Sequence, residues 1–163
     1  MTDEGHAYND DKDRLVADLR EIAVSSRDRI ASLRMIAEII RRSGNYRWVG
    51  LYDVDHLAGV IRNVVFSGPG APVYPDFPIT KGLTGVAVAE KPTMNVADVT
   101  ADGRYLTAFG STRSEIIVPI FDGAKQQVIG TIDIESEQLD AFSYDVQALS
   151  ERCADVIATL WQS

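Results

Sequence analysis

Glu115, Asp133 and Glu135 lie in two stretches, SEIIVPI (114–120) and VIGTIDIES (128–136), with the alternation and β-branched content of strands. Side chains alternate faces along a strand, so Asp133 and Glu135 point one way while Ile132 and Ile134 point the other. Between the stretches, DGAK (122–125) supplies turn chemistry at Asp122 and Gly123. A hairpin closed over Gly123 to Gln127, with Ile120 facing Val128, puts Glu115 opposite Asp133 on one face. Like charges placed opposite each other on a sheet are destabilising, by up to about 1 kcal/mol. The arrangement is therefore either a solvent-facing acidic strand pair or a site for a cation.

The elements that must position these acids follow from the pattern of the rest of the chain. Residues 1–11 read as a frayed, disordered tail and 12–163 as a single domain. KDRLVADLREIAVSS (12–26) carries a helical stripe of Leu15, Val16, Leu19 and Ile22. SRDRIASLRMIAEIIRRSGN (26–45) reads as a second helix, with Ser26 as its expected cap and its end at Gly44. YRWVGLYDVD (46–55) and GVIRNVVFSG (59–68) then read as a hairpin. Pro69, Pro72, Pro75 and Pro78 exclude a helix or a central strand from 68–82, which is expected to be an extended surface loop. GLTGVAVAEKPTMNV (82–96) reads as a short helix ending before Pro92, followed by a short strand. A second polar loop spans 98–113, and after the acidic hairpin a final helix, capped by Ser143, has Val146, Leu149, Cys153, Val156 and Leu160 on its apolar face. This order predicts an α+β fold, a mainly antiparallel sheet with helices on one face. The two long loops and the three acids then share the other face, where loops on a rigid sheet usually bind ligands.

Composition narrows the function classes. The chain has 163 residues, a net charge of −8 and a pI near 4.7, which argue against binding nucleic acid or an anionic membrane through clustered cations. Arg27, Arg29, Arg34, Arg41 and Arg42 do cluster, but Glu21, Asp28 and Glu38 are interleaved with them, as on a solvated helix face. The sequence holds no apolar run of about 18 residues and begins with a polar, acidic segment, so neither a membrane span nor a signal peptide is expected. The single cysteine, Cys153, excludes an internal disulfide and fits a cytoplasmic location.

The blocks WVGLY (48–52), GLTGVAVAEKPTMNVADV (82–99), SEIIVPI (114–120) and VIGTIDIES (128–136), with Phe142 after them, resemble in order and spacing those of GAF domains. Within that superfamily the chain is most similar to the free methionine-(R)-sulfoxide reductases. The resemblance implies an antiparallel sheet with N- and C-terminal helices on one face and ligand loops on the other. It also implies that Glu115, Asp133 and Glu135 hold a free amino acid, with Glu135 where the family usually has the shorter Asp. Trp48 and Tyr52 match the aromatic residues that enclose the substrate. They are four residues apart on a strand, hence on one face with Gly50 between them. The family's three cysteine positions fall on Tyr74, Thr84 and Ala108, and a threonine hydroxyl lacks the nucleophilicity and redox chemistry of a thiolate. Cys153, on an apolar helix stripe, reads as a core residue.

These readings lead to a small-molecule-binding domain that senses or binds a small amino compound without catalysis, with no catalytic residue, metal or cofactor. A reductase-like enzyme and a dimerisation module with a vestigial pocket are the alternatives. An amine suits the site better than a divalent metal, because an aromatic wall rather than further oxygen donors flanks the acids. GLTG (82–85) is either an anion-binding helix start or simply a glycine-rich helix entry. His6, in the tail, and His56, in a turn, do not form a triad, haem site or zinc site. Helices at both ends of the chain suggest a homodimer, and any signal would pass to a separate partner protein.

Overall fold

β-Branched residues dominate the middle of the chain and form a six-stranded sheet, while the periodic apolar stripes at either end form helices against it. In the computed structural model, which describes residues 4–107 and 109–161 (the backbone alone for 4–8), the helices are α1 (Glu4–Ser25), α2 (Arg29–Ser43), α3 (Gly82–Glu90) and α4 (Tyr144–Ile157). The strands are β1 (Trp48–Asp55), β2 (Val60–Ser67), β3 (Asp76–Pro78), β4 (Met94–Val96), β5 (Ser114–Phe121) and β6 (Val128–Ser136). Every strand pairing is antiparallel, in the order β3-β2-β1-β6-β5-β4, which confirms the expected α+β architecture. Two hairpins, β1–β2 and β5–β6, thus join through β1 and β6 at the centre.

One face of the sheet meets the helices. Val49, Leu51, Val65, Ile116, Val118, Ile120, Ile132 and Ile134 pack against Val16 and Leu19 of α1, Leu33, Ile36, Ala37 and Ile40 of α2, and Cys153, Ala154 and Ile157 of α4. Their burial is the main stabilising term, about 1.5–3 kcal/mol for each large aliphatic side chain. Among the described residues, no helix is long and apolar enough to cross a membrane.

Several local expectations are corrected. Residues 4–11 are helical and not a tail: α1 begins at Glu4, and beyond them Lys12 and Asp13 reach Asp145 and Arg152 of α4 at 3.5 and 2.7 Å. Residues 1–3, the His6 side chain and Ala108 lie outside what is described. The α2 cap is Asp28, whose carboxylate accepts from Ala31 N at 3.1 Å, while Ser26 Oγ accepts from Ser32 Oγ. Gly44 and Ser143 cap α2 and α4 as expected. Within the proline-rich loop, Asp76–Pro78 pairs with β2 as an edge strand, a place that tolerates proline.

The acidic hairpin is also shifted. Asp122 N donates to Gln127 O at 3.0 Å, and the Asp122 carboxylate accepts from Gln126 N and Gln127 N, so the turn closes on Asp122 and Gln127. Phe121 then faces Val128, but Ile120 faces Gly130, which leaves Ile129 as an extra residue in β6. Glu115 therefore lies opposite Glu135 and not Asp133. The difference from the expected register is two residues, so every side chain keeps its face and the three acids still meet.

Candidate functional site

The face of β6 turned away from the helices presents Thr131, Asp133 and Glu135 in succession. On β5 its neighbours are Glu115, opposite Glu135, and Ile117, opposite Asp133. On β1 they are Trp48, opposite Glu135, Gly50, opposite Asp133, and Tyr52, opposite Thr131. A side chain at Gly50 would fill the space above Asp133: a Cβ there would lie 2.2 Å from the Trp48 ring and 2.8 Å from that of Tyr52. The glycine thus lets two large rings lean together along one strand, with their centroids 6.4 Å apart and their planes at 54°.

Other elements close the site. The Trp48 Nε1–H donates to Gly70 O at 3.0 Å, fixing the ring to the proline-rich loop. Phe77 packs edge-on to Tyr52 at 5.9 Å, and Phe109 packs on Trp48 at 5.3 Å. The α3 helix enters at Gly82, whose φ of +71° is a left-handed conformation natural to glycine, and turns Leu83 and Thr84 toward the acids. At Gly85 a Cβ would sit 2.8 Å from the backbone of Thr80, so α3 lies directly against the loop. The cavity left between these parts is lined by the three acids and Thr84 below, with Trp48, Tyr52, Tyr74 and Phe77 among its walls. Its volume is about 30 Å³, room for about two waters.

The acids are buried, with Glu115, Asp133 and Glu135 only 6, 4 and 2% exposed. Asp133 accepts from Thr131 Oγ1 at 2.6 Å and from Thr84 Oγ1 at 2.9 Å. Burial raises its pKa to about 7, against the opposing effect of these two hydrogen bonds. Glu135 accepts from Thr112 Oγ1 at 2.5 Å, and burial also raises it to about 7, helped by the Asp133 charge and opposed by Thr112 and Arg47. Glu115 is held well above the usual carboxylate range, first by burial and then by the charges of Glu135 and Asp133. Among the described residues no group donates a hydrogen bond to it. The Tyr52 hydroxyl is raised by burial and by the same three acids, so it stays neutral. The chemistry on offer is that of an acidic, desolvated pocket with an aromatic wall, suited to a small cation.

All five residues singled out in the sequence, Trp48, Tyr52, Glu115, Asp133 and Glu135, line this cavity. Two of the positions assigned to cysteine, Tyr74 and Thr84, line it as well. Cys153 lies on the other side of the sheet among the helices, where burial pushes its thiol up to about 12. Exposed His56 places Nε2 2.7 Å from Val128 O, at the far end of the hairpin. Among the described residues no group of three or more His, Cys, Asp and Glu is arranged to hold a metal ion.

Sequence reasoning missed Thr131 and Thr112 as partners of the acids. Thr131 was legible, since it stands two residues before Asp133 on the same strand face. Thr112, from an irregular loop, gave no such signal.

The family model for the GAF domain matches residues 28–160. A type II free methionine-R-sulfoxide reductase from Thermoplasma acidophilum is 30% identical and superposes with a TM-score of 0.76, over 88% of this chain and 95% of that one. The free methionine-R-sulfoxide reductase from Neisseria meningitidis, solved in complex with its substrate, is 25% identical with a TM-score of 0.84, over 99% and 92% of the two chains. Among curated proteins, GAF domain-containing protein A of Dictyostelium discoideum is 25% identical over 80% of this chain and 79% of its own. The matched region runs from α2 through the C-terminal end of α4 and contains every strand and every residue of the cavity, and the chain belongs to the GAF domain family.

Proposed function

We propose that this protein binds a small amino compound, an amino acid being the first candidate, and acts as a sensor or carrier without catalysis. The observation that carries this reading is Glu115: a buried carboxyl group to which no group among the described residues donates, beside two further acids and an aromatic wall. A buried carboxyl group without a partner is costly to keep, and a bound amino compound would supply one, with its ammonium held on the acid cluster by charge-assisted hydrogen bonds. Trp48 and Tyr52 would cover the ligand's apolar part. The loops at 69–81 and 100–113 would close over the ligand. We place the protein in the cytoplasm as a homodimer that passes its signal to a separate partner. Light scattering after size-exclusion chromatography tests the dimer, and a clean monomer would remove it.

A second reading, reductase activity, is favoured by the relatives, several of which are free methionine-R-sulfoxide reductases. Against it stand Tyr74 and Thr84 at cysteine positions and a sole thiol buried behind the sheet.

Thermal unfolding with L-methionine-(R)-sulfoxide, methionine and other small amines separates the two. A ligand at 100 times its Kd stabilises by about 2.7 kcal/mol. Stabilisation by an amino compound, lost in Asp133→Asn, without thiol-dependent turnover of the sulfoxide, is the expected result. Equal binding by Asp133→Asn would sink the proposed site. Turnover that vanishes in Cys153→Ser would establish the enzyme instead. No shift with any amine would favour an interaction module with a vestigial pocket.

A further inference from the structure

The three acids of the cavity are chemically unequal, and the inequality comes from hydroxyl groups. Asp133 receives two hydroxyl hydrogens, one on each oxygen, from Thr84 of α3 at 2.9 Å and Thr131 of β6 at 2.6 Å. Glu135 receives one, from Thr112 at 2.5 Å. Glu115, equally buried and directly opposite Glu135, receives none among the described residues. A hydrogen donated to a carboxylate stabilises its charged form, and three neighbouring like charges in a buried site cannot all persist.

The other titratable groups facing the acids do not reverse this order. Tyr52 of β1 stays neutral, Tyr74 contributes a wall, and Arg47, ahead of β1, favours the charge of Glu135. Among the described residues no lysine, arginine or histidine lines the cavity.

We propose that Thr84, Thr112 and Thr131 are positioning residues that sort the three acids, making Asp133 and Glu135 the first to ionise and leaving Glu115 as the acid that keeps its proton longest. Thr84 is the decisive member. It stands at a position where the reductase pattern has cysteine, and a thiol is only a weak donor. The hydroxyl at that position orients Asp133. A ligand's cation is then seated on Asp133 and Glu135, and Glu115 contributes a donor instead of a charge. The seating of the ligand rests on the binding reading above, whereas the order of ionisation does not.

Carbon-13 NMR titration of the side-chain carboxyls in the ligand-free protein tests the sorting directly. Glu115 is expected to lose its proton at higher pH than either Asp133 or Glu135. Thr84→Val should move the Asp133 midpoint up by about one pH unit and weaken binding of L-methionine-(R)-sulfoxide at pH 7 by about five- to tenfold, with both effects restored in Thr84→Ser. Thr112→Val should move Glu135 and spare Asp133. Glu115 ionising with or before the other two, or an Asp133 midpoint unmoved in Thr84→Val, would overturn the proposal. If Thr84→Val does not fold, the order in the parent and the Glu135 shift in Thr112→Val decide the matter. Failure of the parent to bind, with the order intact, removes the binding reading alone. Binding with Glu115 ionising first removes the sorting alone.

Discussion

The two faces of β6 are equally buried and chemically opposite. Ile132 and Ile134 are 1 and 0% exposed toward the helices, while Asp133 and Glu135, on the other side of the same strand, are 4 and 2% exposed. On the helix face burial stabilises the fold, because each side chain leaves water for apolar neighbours. On the loop face burial works against it, because each carboxyl must lose its hydration or keep a proton. The comparison teaches that the core and the site are separated by one residue of register, and that the apolar face sustains the strained one.

Moving an acid across that boundary should have the largest effect. Ile134→Asp places a carboxylate among Leu33, Ile36 and Phe142, with none of the hydroxyl donors that Asp133 enjoys. An unpaired buried charge costs several kcal/mol, comparable with the whole stability of a domain at about 5–15 kcal/mol. We expect loss of cooperative unfolding in urea followed by circular dichroism. A native-like midpoint would mean that the helix face admits charge, and the contrast between the faces would fall.

The reverse operation is removal of charge from the loop face. The folded-state pKa of Asp133 is about 7, above its ordinary 3.8, so the folded protein binds the proton more tightly than the unfolded chain. The stability this confers is complete below about pH 4 and is lost as pH rises through about 7. A difference of about three pH units corresponds to about 4 kcal/mol as an upper figure. Asp133→Asn, which removes this loss along with the proposed ligand anchor, should stabilise the ligand-free protein by about 1–3 kcal/mol at pH 8 and by little at pH 4. Urea midpoints of parent and variant at the two pH values make the measurement. A variant less stable than the parent at pH 8 would mean that the charge of Asp133 is fully compensated in the fold.

The same contrast explains how much of the molecule was legible in its sequence. The helix face follows a periodicity rule, so Leu33, Ile36, Ala37 and Ile40 of α2 and Cys153 and Leu160 near the end of the chain could be placed from spacing alone, although Ile30, on the same stripe of α2, is exposed. The alternation of Asp133 and Glu135 with Ile132 and Ile134 likewise fixed which acids share a face. The partner of Glu115 could not be read, because it depends on where the turn closes and on the extra residue at Ile129, and neither alters the hydrophobic pattern. Thr112 and Phe109 were invisible for a related reason. They come from a loop whose course is set by contacts across the cavity and not by any local repeat. The start of α1 was misjudged because Glu4 to Asp11 holds no large aliphatic residue, and a helix without an apolar stripe leaves no periodic trace.

An aspartate outside the cavity sharpens the comparison by its sign. Asp102, in the loop after β4, accepts from Arg104 N and Nε at 3.0 Å and from its Nη2 at 2.7 Å. The Arg104 side chain and backbone hold its pKa down to about 2, below the ordinary 3.8. Its contribution to stability is therefore present above about pH 4 and lost as pH falls through 2, opposite to that of Asp133. The Arg104 side chain is half exposed, so solvent screens the pair and its worth is small. Asp102→Asn should lower the melting temperature by about 1–4 °C at pH 7 and have no effect near pH 2. The fall in stability between pH 5 and 8 should survive unchanged in that variant, because it belongs to the buried acids. Thermal unfolding of Asp102→Asn from pH 2 to 8 makes the check. If the substitution flattened the neutral limb instead of the acid one, the decline there would belong to surface ion pairs, and the loop face would no longer account for the cost of its own acids.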